Sequence, residues 1–503
     1  MVTTTEPSGA KIQRRELREM QEKYRKISDA IAGEEAVKAA AEKYLPIPSS
    51  CKKDSTGTVD LDRYQAYQTR ALYYNVCQPT RDALVGQLFL RPPVVELPSE
   101  LDILIADMNG EGLNLEQLVK KAANHVLPYG RGGFLADFPR TNGQVTKSQI
   151  DSGEIRPIIR FFEPWAIRNW QIEKVGMVQK LTLLVLDEMY EYVEKGGDEF
   201  DIQSKLRQRV YRLKNDCCSV EVFNDEGERV EGYDICGKDG KPLDAIPFEF
   251  IGSENNDADV DEPPFLNLAN INLAHFRNSA DYEEGCFLCG QPTPVYAGLT
   301  VEWMENYFPK GIPFGSRASI TLNEGATAQL LQALPNMVAF EAMKHKEDQM
   351  FSIGAKIINR DQKIEKKEKE VEIEAASQKS VLTTIKDNLQ LALFASIKRA
   401  ASFIGVDVSE KEHKVELNEN FDLTSMDPDE IRSTSELYNQ SQITFGEMRE
   451  TLRRSGIAKL TDDEAMASIK KDAAFKKEVN PPPEPTVGKG TSNPVKKVEP
   501  SGT

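Results

Sequence analysis

Two proline clusters bracketing a long helical run constrain this chain more than any other feature of its sequence. Pro263 and Pro264 suit the first turn of a helix, where a missing N–H costs nothing because that donor is unbonded anyway. From Phe265 to about Cys289 a single helix is expected, ~37 Å long at the usual rise per residue. Its apolar positions include Leu268, Ile271, Phe276 and Ala280, whereas Asn267, Asn270, Asn272, His275, Asn278 and Asp281 make the rest unusually polar. Such a helix suits packing against copies of itself, with water or a polar partner on one side. Pro292 and Pro294 end it. Before Pro335 comes a short αβ pattern: Val295-Tyr296-Ala297, a brief helix around Trp303, then Ser319 to Leu322 and Ala328 to Leu331. A second helix restarts at Asn336, with Phe340, Met343, Met350 and Ile353 on one face, and is expected to break at Gly354. Long helix, small αβ insert, second helix: any fold for the chain has to accommodate that order.

The flanks read more simply. Residues 10–43 form a charged helix closed by Tyr44-Leu45-Pro46. Tyr64 to Leu90 reads as helix through Tyr67, Ala71, Tyr74, Leu84 and Leu88, and Pro92-Pro93 stops it. Another helix spans Leu113 to Val126, ending near Pro128. From Gly132 short β-type runs take over, at Phe134–Ala136, Ile158–Phe161, Leu181–Leu186 and Arg209–Tyr211. Asn224–Gly227 and Gly237–Gly240 are hairpin-like turns. The result is an α+β domain of antiparallel strands over roughly 44–255, followed by an acidic, loop-like stretch from Asn255 to Glu262. After Gly354 a Lys/Glu-rich segment leads into an amphipathic helix carrying Leu382, Ile385, Leu389, Leu393, Ala400 and Phe403. Asp427-Pro428 with Glu430 opens a further helix, and Thr444 with Glu447 forms a capping box for the next. The six prolines of 478–503 predict a disordered tail. The fold class is α+β and rich in helix.

Length and charge narrow the function. A chain of 503 residues exceeds one compact core and suits two to four domains. The densest apolar run, Leu181 to Leu186, is far short of a membrane span, and the charged N-terminus has no apolar signal core, so a cytosolic site of synthesis and no membrane partner are expected. Seven scattered cysteines fit a reducing compartment. A net charge of −17 argues against a protein that grips DNA through lysines and arginines. If DNA is a partner, it is one that slides past.

Enzyme signatures fail one by one. Gly232 to Asp239 is one residue short of a phosphate-binding P-loop, has Asp239 where Ser or Thr would hold magnesium, and runs into a turn rather than a helix. Cys286 and Cys289 have zinc-like spacing, but Cys217-Cys218 lacks the separation of a second knuckle, and buried structural thiols are the expectation. Asp257, Asp259, Asp261 and Glu262 lack the Gly and terminal Glu of a calcium loop and read as a solvated linker. Gly130-Arg131-Gly132-Gly133 is too short and common to mark a phosphate site. His125, His275, His345 and His413 lie far apart, with no nucleophile signature beside them. A nuclease or phosphotransferase would need clustered carboxylates or an intact P-loop, so no catalytic residue, metal or cofactor is assigned. The Lys-rich stretch from 356 to 369 is the best nucleic-acid candidate, although Glu365, Glu368 and Glu370 cancel much of its charge.

Several segments resemble the portal-type structural proteins of tailed bacteriophages. They are Tyr67-x-x-Arg70-Ala71-x-Tyr73-x-Asn75, Gly86-x-x-Phe89-x-Arg91-Pro92-Pro93, Asp107-x-Asn109-Gly110-x-Gly112, and Gly130–Gly133 with Asp137-x-Pro139. The fullest runs from Pro263-Pro264-Phe265-Leu266 through Leu273 to Tyr282, then Gln291-Pro292-Thr293-Pro294 and Gly298-Leu299. The likeness covers roughly 44–405 and departs at Glu368-Lys369-Glu370-Val371-Glu372, where a Thr/Ala-rich motif is expected.

The resemblance implies an N-terminal charged arm (1–43), an αβ wing (44–261), a first stem helix (262–289), a clip (290–335) and a second stem helix (336–354). A tunnel loop (355–372), a long wing helix and its return (373–424), a helical crown (425–477) and a tail (478–503) would follow. It implies a twelve-subunit ring in the virion, at the capsid portal vertex, assembled in the host cytoplasm. Double-stranded DNA would pass through it during packaging and ejection. Terminase, head–tail adaptor or tail proteins, and major capsid and scaffold proteins would be its partners. Lys344, Lys346, Lys356, Arg360, Lys363, Lys366, Lys367 and Lys369 would be the DNA-facing candidates. Leu268, Ile271, Phe276, Phe340, Met343 and Met350 would pack subunit on subunit. The alternative is another head–tail connector or adaptor ring without a packaging role, whose subunits are generally shorter.

Overall fold

The computed structural model describes residues 9–52, 58–137, 149, 155–194, 196–237, 241–291, 293–312, 321–331, 337–358, 381–409, 412–418, 428–454, 458 and 464–471. They mix helix and sheet and fall in two units, Met1–Phe421 and Asp422–Thr503. In the first unit the charged N-terminal segment forms α1 (Arg15–Ala32) and α2 (Glu34–Ala39), separated by Gly33 at φ 98°. Leu17, Tyr24, Ile27, Ala30 and Ile31 fall on one face of α1 and are buried, so this segment belongs to the body's core and is not a free-standing arm. The expected helix over 64–90 is two helices, α3 (Leu61–Arg70) and α4 (Cys77–Leu88), with residues 71–76 outside any helix or strand between them. β1 (Val94–Glu96) and α5 (Asp102–Ala106) follow. α6 (Leu115–Tyr129) starts at a capping box of Asn114 with Gln117 and runs through Pro128, three residues beyond the expected end at Val126.

Gly130 ends α6 in the left-handed conformation (φ 72°) and leads directly into β2 (Arg131–Asp137), the centre of a three-stranded antiparallel sheet. Its neighbours are β3 (Ile158–Phe162) and, later in the chain, the ninth strand at Phe248–Gly252. A Cβ on Gly132 would lie 2.6 Å from the Phe161 ring, and one on Gly133 would lie 2.1 Å from Phe248. The glycine run therefore lets two core aromatics cross the central strand.

A five-stranded antiparallel meander comes next: β4 (Ile167–Val175), β5 (Val178–Val193), β6 (Ile202–Lys214), β7 (Cys217–Phe223) and β8 (Arg229–Asp234). Buried Arg209 on β6 ties it to the smaller sheet, reaching Asp137 at 3.0 Å and Glu188 at 3.1 Å. Strands β5 and β6 outrun their neighbours, since Glu188–Val193 and Ile202–Arg207 pair only with each other. Along one face of this ribbon Arg207 covers Tyr190 at 5.4 Å and Lys205 covers Tyr192 at 4.8 Å, while Met189 and Ile202 on the other face are exposed.

After β9 (Phe248–Gly252), the acidic stretch folds around one cation. Buried Arg131 donates to the carbonyls of Asp259 at 2.6 Å and Ala258 at 3.2 Å, and its guanidinium stacks 4.3 Å from the Trp170 ring and 4.7 Å from Phe250. Burial pushes this guanidinium down to about 10. The Asp261 carboxylate accepts from Ser253 Oγ at 3.3 Å and Glu254 N–H at 2.8 Å. What reads as a solvated linker is thus an ordered loop, because backbone carbonyls are needed to satisfy a buried arginine.

Then come α7 (Leu266–Cys289), β10 (Thr293–Ala297), α8 (Val301–Tyr307), β11 (Thr327–Leu331), α9 (Val338–Ile358) and α10 (Val381–Ile404). Helix α9 continues through Gly354, where a break was expected; a glycine costs a helix only about 1 kcal/mol. Apolar on most sides, α10 is covered by β2, β9 and α6, and Asn388 Nδ2 donates to the Gly252 carbonyl at 2.9 Å. β12 (Lys414–Glu416) closes the unit by pairing with β1. In the second unit, α11 (Pro428–Asn439) and α12 (Phe445–Arg454) form a helical pair. Thr444 and Glu447 cap α12 reciprocally, as expected: Glu447 N–H donates to Thr444 Oγ1 at 3.3 Å and Thr444 N–H to the Glu447 carboxylate at 2.7 Å. The expected tail lies outside the described residues.

Candidate functional site: the helix pair α7 and α9

Several polar residues of α7 find partners within the same chain. Asn272, fully buried, accepts at Oδ1 from Tyr73 OH (2.8 Å) and Val76 N–H (3.2 Å), and donates from Nδ2 to the Tyr74 carbonyl (2.8 Å). Ser279 Oγ accepts from Leu72 N–H at 3.0 Å, and Asp281 accepts from Tyr67 OH at 2.7 Å. Arg70 pairs with Glu284 and lies 4.2 Å from the Phe287 ring. These contacts explain why residues 71–76 interrupt the helix: Leu72 N–H, Val76 N–H and the Tyr74 carbonyl bond to α7 instead of continuing it. Residues 67–77 therefore cover the part of α7 that carries Asn272 and Ser279, whereas Asn267, Asn270, Arg277 and Asp281 stay exposed, so the expected polar, outward side is kept only in part.

α9 returns along another side of α7. Buried His275 meets Glu347 at 3.1 Å, and the Tyr282 and Phe340 rings stand 5.8 Å apart. With its amide turned so that the nitrogen faces the Ala274 carbonyl (3.2 Å), the orientation that satisfies both atoms, Asn278 bridges the two helices by accepting from Lys346 Nζ at 3.3 Å. The loop end of the pair carries the β10–β11 ribbon, in register from Thr293↔Leu331 to Ala297↔Thr327. Thr300 caps α8 by accepting from Trp303 N–H at 3.3 Å, and Trp303 contacts Tyr307 and Phe308 with centroids 5.2 Å away in both cases. Val295, Val301, Tyr307, Leu330 and Leu331 in this module are exposed.

The sequence-derived candidates divide accordingly. Leu268, Phe276 and Met350 are 0%, 0% and 1% exposed and belong to the chain's own core, so they offer no surface to another subunit. Apolar spacing on a helix marks a packed face without saying whose atoms cover it. Ile271 and Met343 are half-buried and Phe340 is exposed. Of the basic candidates, Lys344 is exposed, Lys346 is taken up by the helix pair and Lys356 falls in the last turn of α9. Arg360, Lys363, Lys366, Lys367 and Lys369 lie outside the described residues.

The weaker motifs also find places. Gly232 to Asp234 lies in β8, and Gly237 N–H donates to Lys241 O at 2.9 Å beyond a Cys236–Pro242 bridge, so the described part of the near-match to a P-loop is strand and bridge, while Lys238 and Asp239 lie outside the described residues. Cys286 is exposed and Cys289 half-buried, contrary to the expectation of buried thiols. Among the described residues no three His, Cys, Asp or Glu side chains gather to hold a metal, and no helix is long and apolar enough to cross a membrane. A cleft of about 370 Å³ opens between the sheets, lined by Ile172, Leu181, Phe248 and Phe250 and bordered by the Glu249–Arg399 ion pair (2.5 Å).

A family model described as a domain of unknown function (DUF4055) matches residues 264–404, the stretch from the start of α7 to the end of α10. The match covers part of the chain only. No curated protein matches. Three solved structures are similar over most of their chains. The neck of an empty GTA particle computed with C6 symmetry is 13% identical, with 77% of this chain and 92% of that chain covered and a TM-score of 0.39. The virion of a native gene transfer agent particle is 13% identical, with 84% and 98% covered and a TM-score of 0.39. The neck of a native GTA particle computed with C12 symmetry is 12% identical, with 75% and 89% covered and a TM-score of 0.38. Superpositions at these scores do not establish a common fold.

Proposed function

We propose that the chain is a portal-type subunit of a tailed-phage particle: a non-enzymatic protein that forms a twelve-subunit ring at the capsid vertex and conducts double-stranded DNA. The observation that carries this reading is the return of α9 along α7 after a small β10–α8–β11 module, attached to an α+β body. The motif series from Tyr67 to Leu299 supports it. In a ring, the exposed apolar residues of the module would find cover on neighbouring copies or on docked adaptor and tail proteins. Terminase, a separate protein, would supply the ATP chemistry of packaging.

Charge supports the same reading. Each copy carries a formal −17, so a ring would hold about two hundred negative charges and repel the DNA backbone, letting it slide. Lys344, exposed on α9, would be available for transient phosphate contacts. Electron microscopy of the purified full-length protein, with its mass measured in solution, tests the proposal. Rings with a central channel and a mass near twelve times 56.4 kDa are expected. A small closed oligomer without a channel overturns the reading, as does metal-dependent turnover of DNA or ATP by the pure protein.

A further inference from the structure

The open end of the β7–β8 hairpin brings two cysteines side by side. Its register pairs Ser219 with Asp234 and Val220 with Tyr233. One residue further, Ile235 N–H still donates to the Cys218 carbonyl at 2.9 Å, and there the ladder ends: Cys218 N–H turns to Leu243 and Cys236 bridges to Pro242, while the Cys217 thiol interacts with Asp234 and Cys236. Side chains alternate along a strand, so Cys217 and Cys236 share a face with Ser219 and Asp234, while Cys218 and Ile235 turn inward and are buried. That shared face is the solvent side: Cys217 is half-buried and Cys236 exposed. The Ile235–Cys218 hydrogen bond one residue away holds the two strand ends together, and a disulfide requires Cα atoms about 4.4–6.8 Å apart.

We propose that Cys217 and Cys236 are a modification site, a dithiol that hydrogen peroxide converts into an intrachain disulfide. The exposed Cys236 thiolate attacks one peroxide oxygen; the O–O bond breaks, hydroxide leaves and a sulfenic acid forms. The Cys217 thiolate then attacks that sulfur, the S–S bond forms and the S–O bond breaks. The two hydroxides take up the two thiol protons, so two thiols lose two electrons and the peroxide becomes two waters. The order follows from the surroundings. Burial, then the Asp234 carboxylate and the Cys236 thiol, push the Cys217 thiol up, which suits the group that acts second. The bridge joins the strands just past their last ladder pair, beside Leu243, whose carbonyl accepts from Cys218 N–H at 2.8 Å. The remaining thiols are placed differently. Cys51, Cys77 and Cys218 are buried, and Cys286 and Cys289 sit a turn apart on one helix.

The reduced full-length protein, freed of reductant and treated with hydrogen peroxide, tests this by digestion and mass spectrometry without reduction. A Cys217–Cys236 linked peptide is expected as the main intrachain product, absent from Cys217→Ser and Cys236→Ser. The Cys217→Ser protein should retain a sulfenic acid at Cys236 that dimedone captures. Closing a loop of about 20 residues should also raise the melting temperature of the oxidised protein by several degrees over its reduced form, a shift Cys217→Ser lacks. Recovery of both cysteines as separate thiols or acids, or a dominant bridge between Cys286 and Cys289 or between chains, overturns the proposal.

Discussion

Asn272 shows how much a single side chain organises here. Its amide holds Tyr73 OH, Val76 N–H and the Tyr74 carbonyl at a site sealed from water, so truncation strands several groups at once. Asn272→Ala should lower the unfolding free energy by about 2–4 kcal/mol, the cost of leaving buried polar groups unbonded. Urea unfolding of both proteins measures it, and an unchanged midpoint would show that the amide does not anchor residues 71–76. The residue was visible in the sequence as one of several polar positions on a helix, but its partner was not. Periodicity assigns a face to Asn272, whereas the Tyr73 hydroxyl that occupies that face comes from about two hundred positions upstream. The same limit applies to Leu268, Phe276 and Met350, read as subunit contacts and found in the chain's own core.

Elements whose signals are local were legible. The proline-bounded helix expected from Phe265 to Cys289 is α7, and the Thr444–Glu447 box does cap α12. Elements set by distant contacts were misjudged. The 64–90 segment is broken by hydrogen bonds to α7, and the 255–262 loop is ordered by a buried arginine from β2. Cys217–Phe223 was passed over although its alternation of half-buried and buried residues marks a strand with one face covered. Glycines divide in the same way. A Cβ on Gly133 collides with the Phe248 ring, so Gly133→Ala should cost about 1–3 kcal/mol through overpacking. Gly86 on α4 has open space around its would-be Cβ, so Gly86→Ala should gain up to about 1 kcal/mol of helix propensity. Paired thermal melts decide this; the same sign for both variants would contradict the packing argument.

At the scale of the whole chain, the α+β class and the order of its parts could be read directly, because alternating strands and proline-bounded helices are written in residue type. Which copies or partners cover the exposed β10–α8–β11 module could not, since an apolar surface does not name what rests on it. Net charge makes a separate prediction. Copies carrying −17 repel one another, and screening shortens that repulsion to a few ångströms by ~1 M salt. The assembled fraction, followed by light scattering, should therefore rise with added monovalent salt; a fall would mean that ion pairs between copies dominate. The hydrogen bonds joining residues 67–77 to α7 also set a schedule for biosynthesis. The first partner leaves the ribosome about two hundred residues ahead of the second, roughly 10–40 s at ordinary elongation rates. Until α7 follows, Tyr73 OH has only the Ala30 carbonyl of α1 to bond, and the Leu72 and Val76 N–H groups and the Tyr74 carbonyl lack their partners, so this segment is completed only after more than half of the chain has been made.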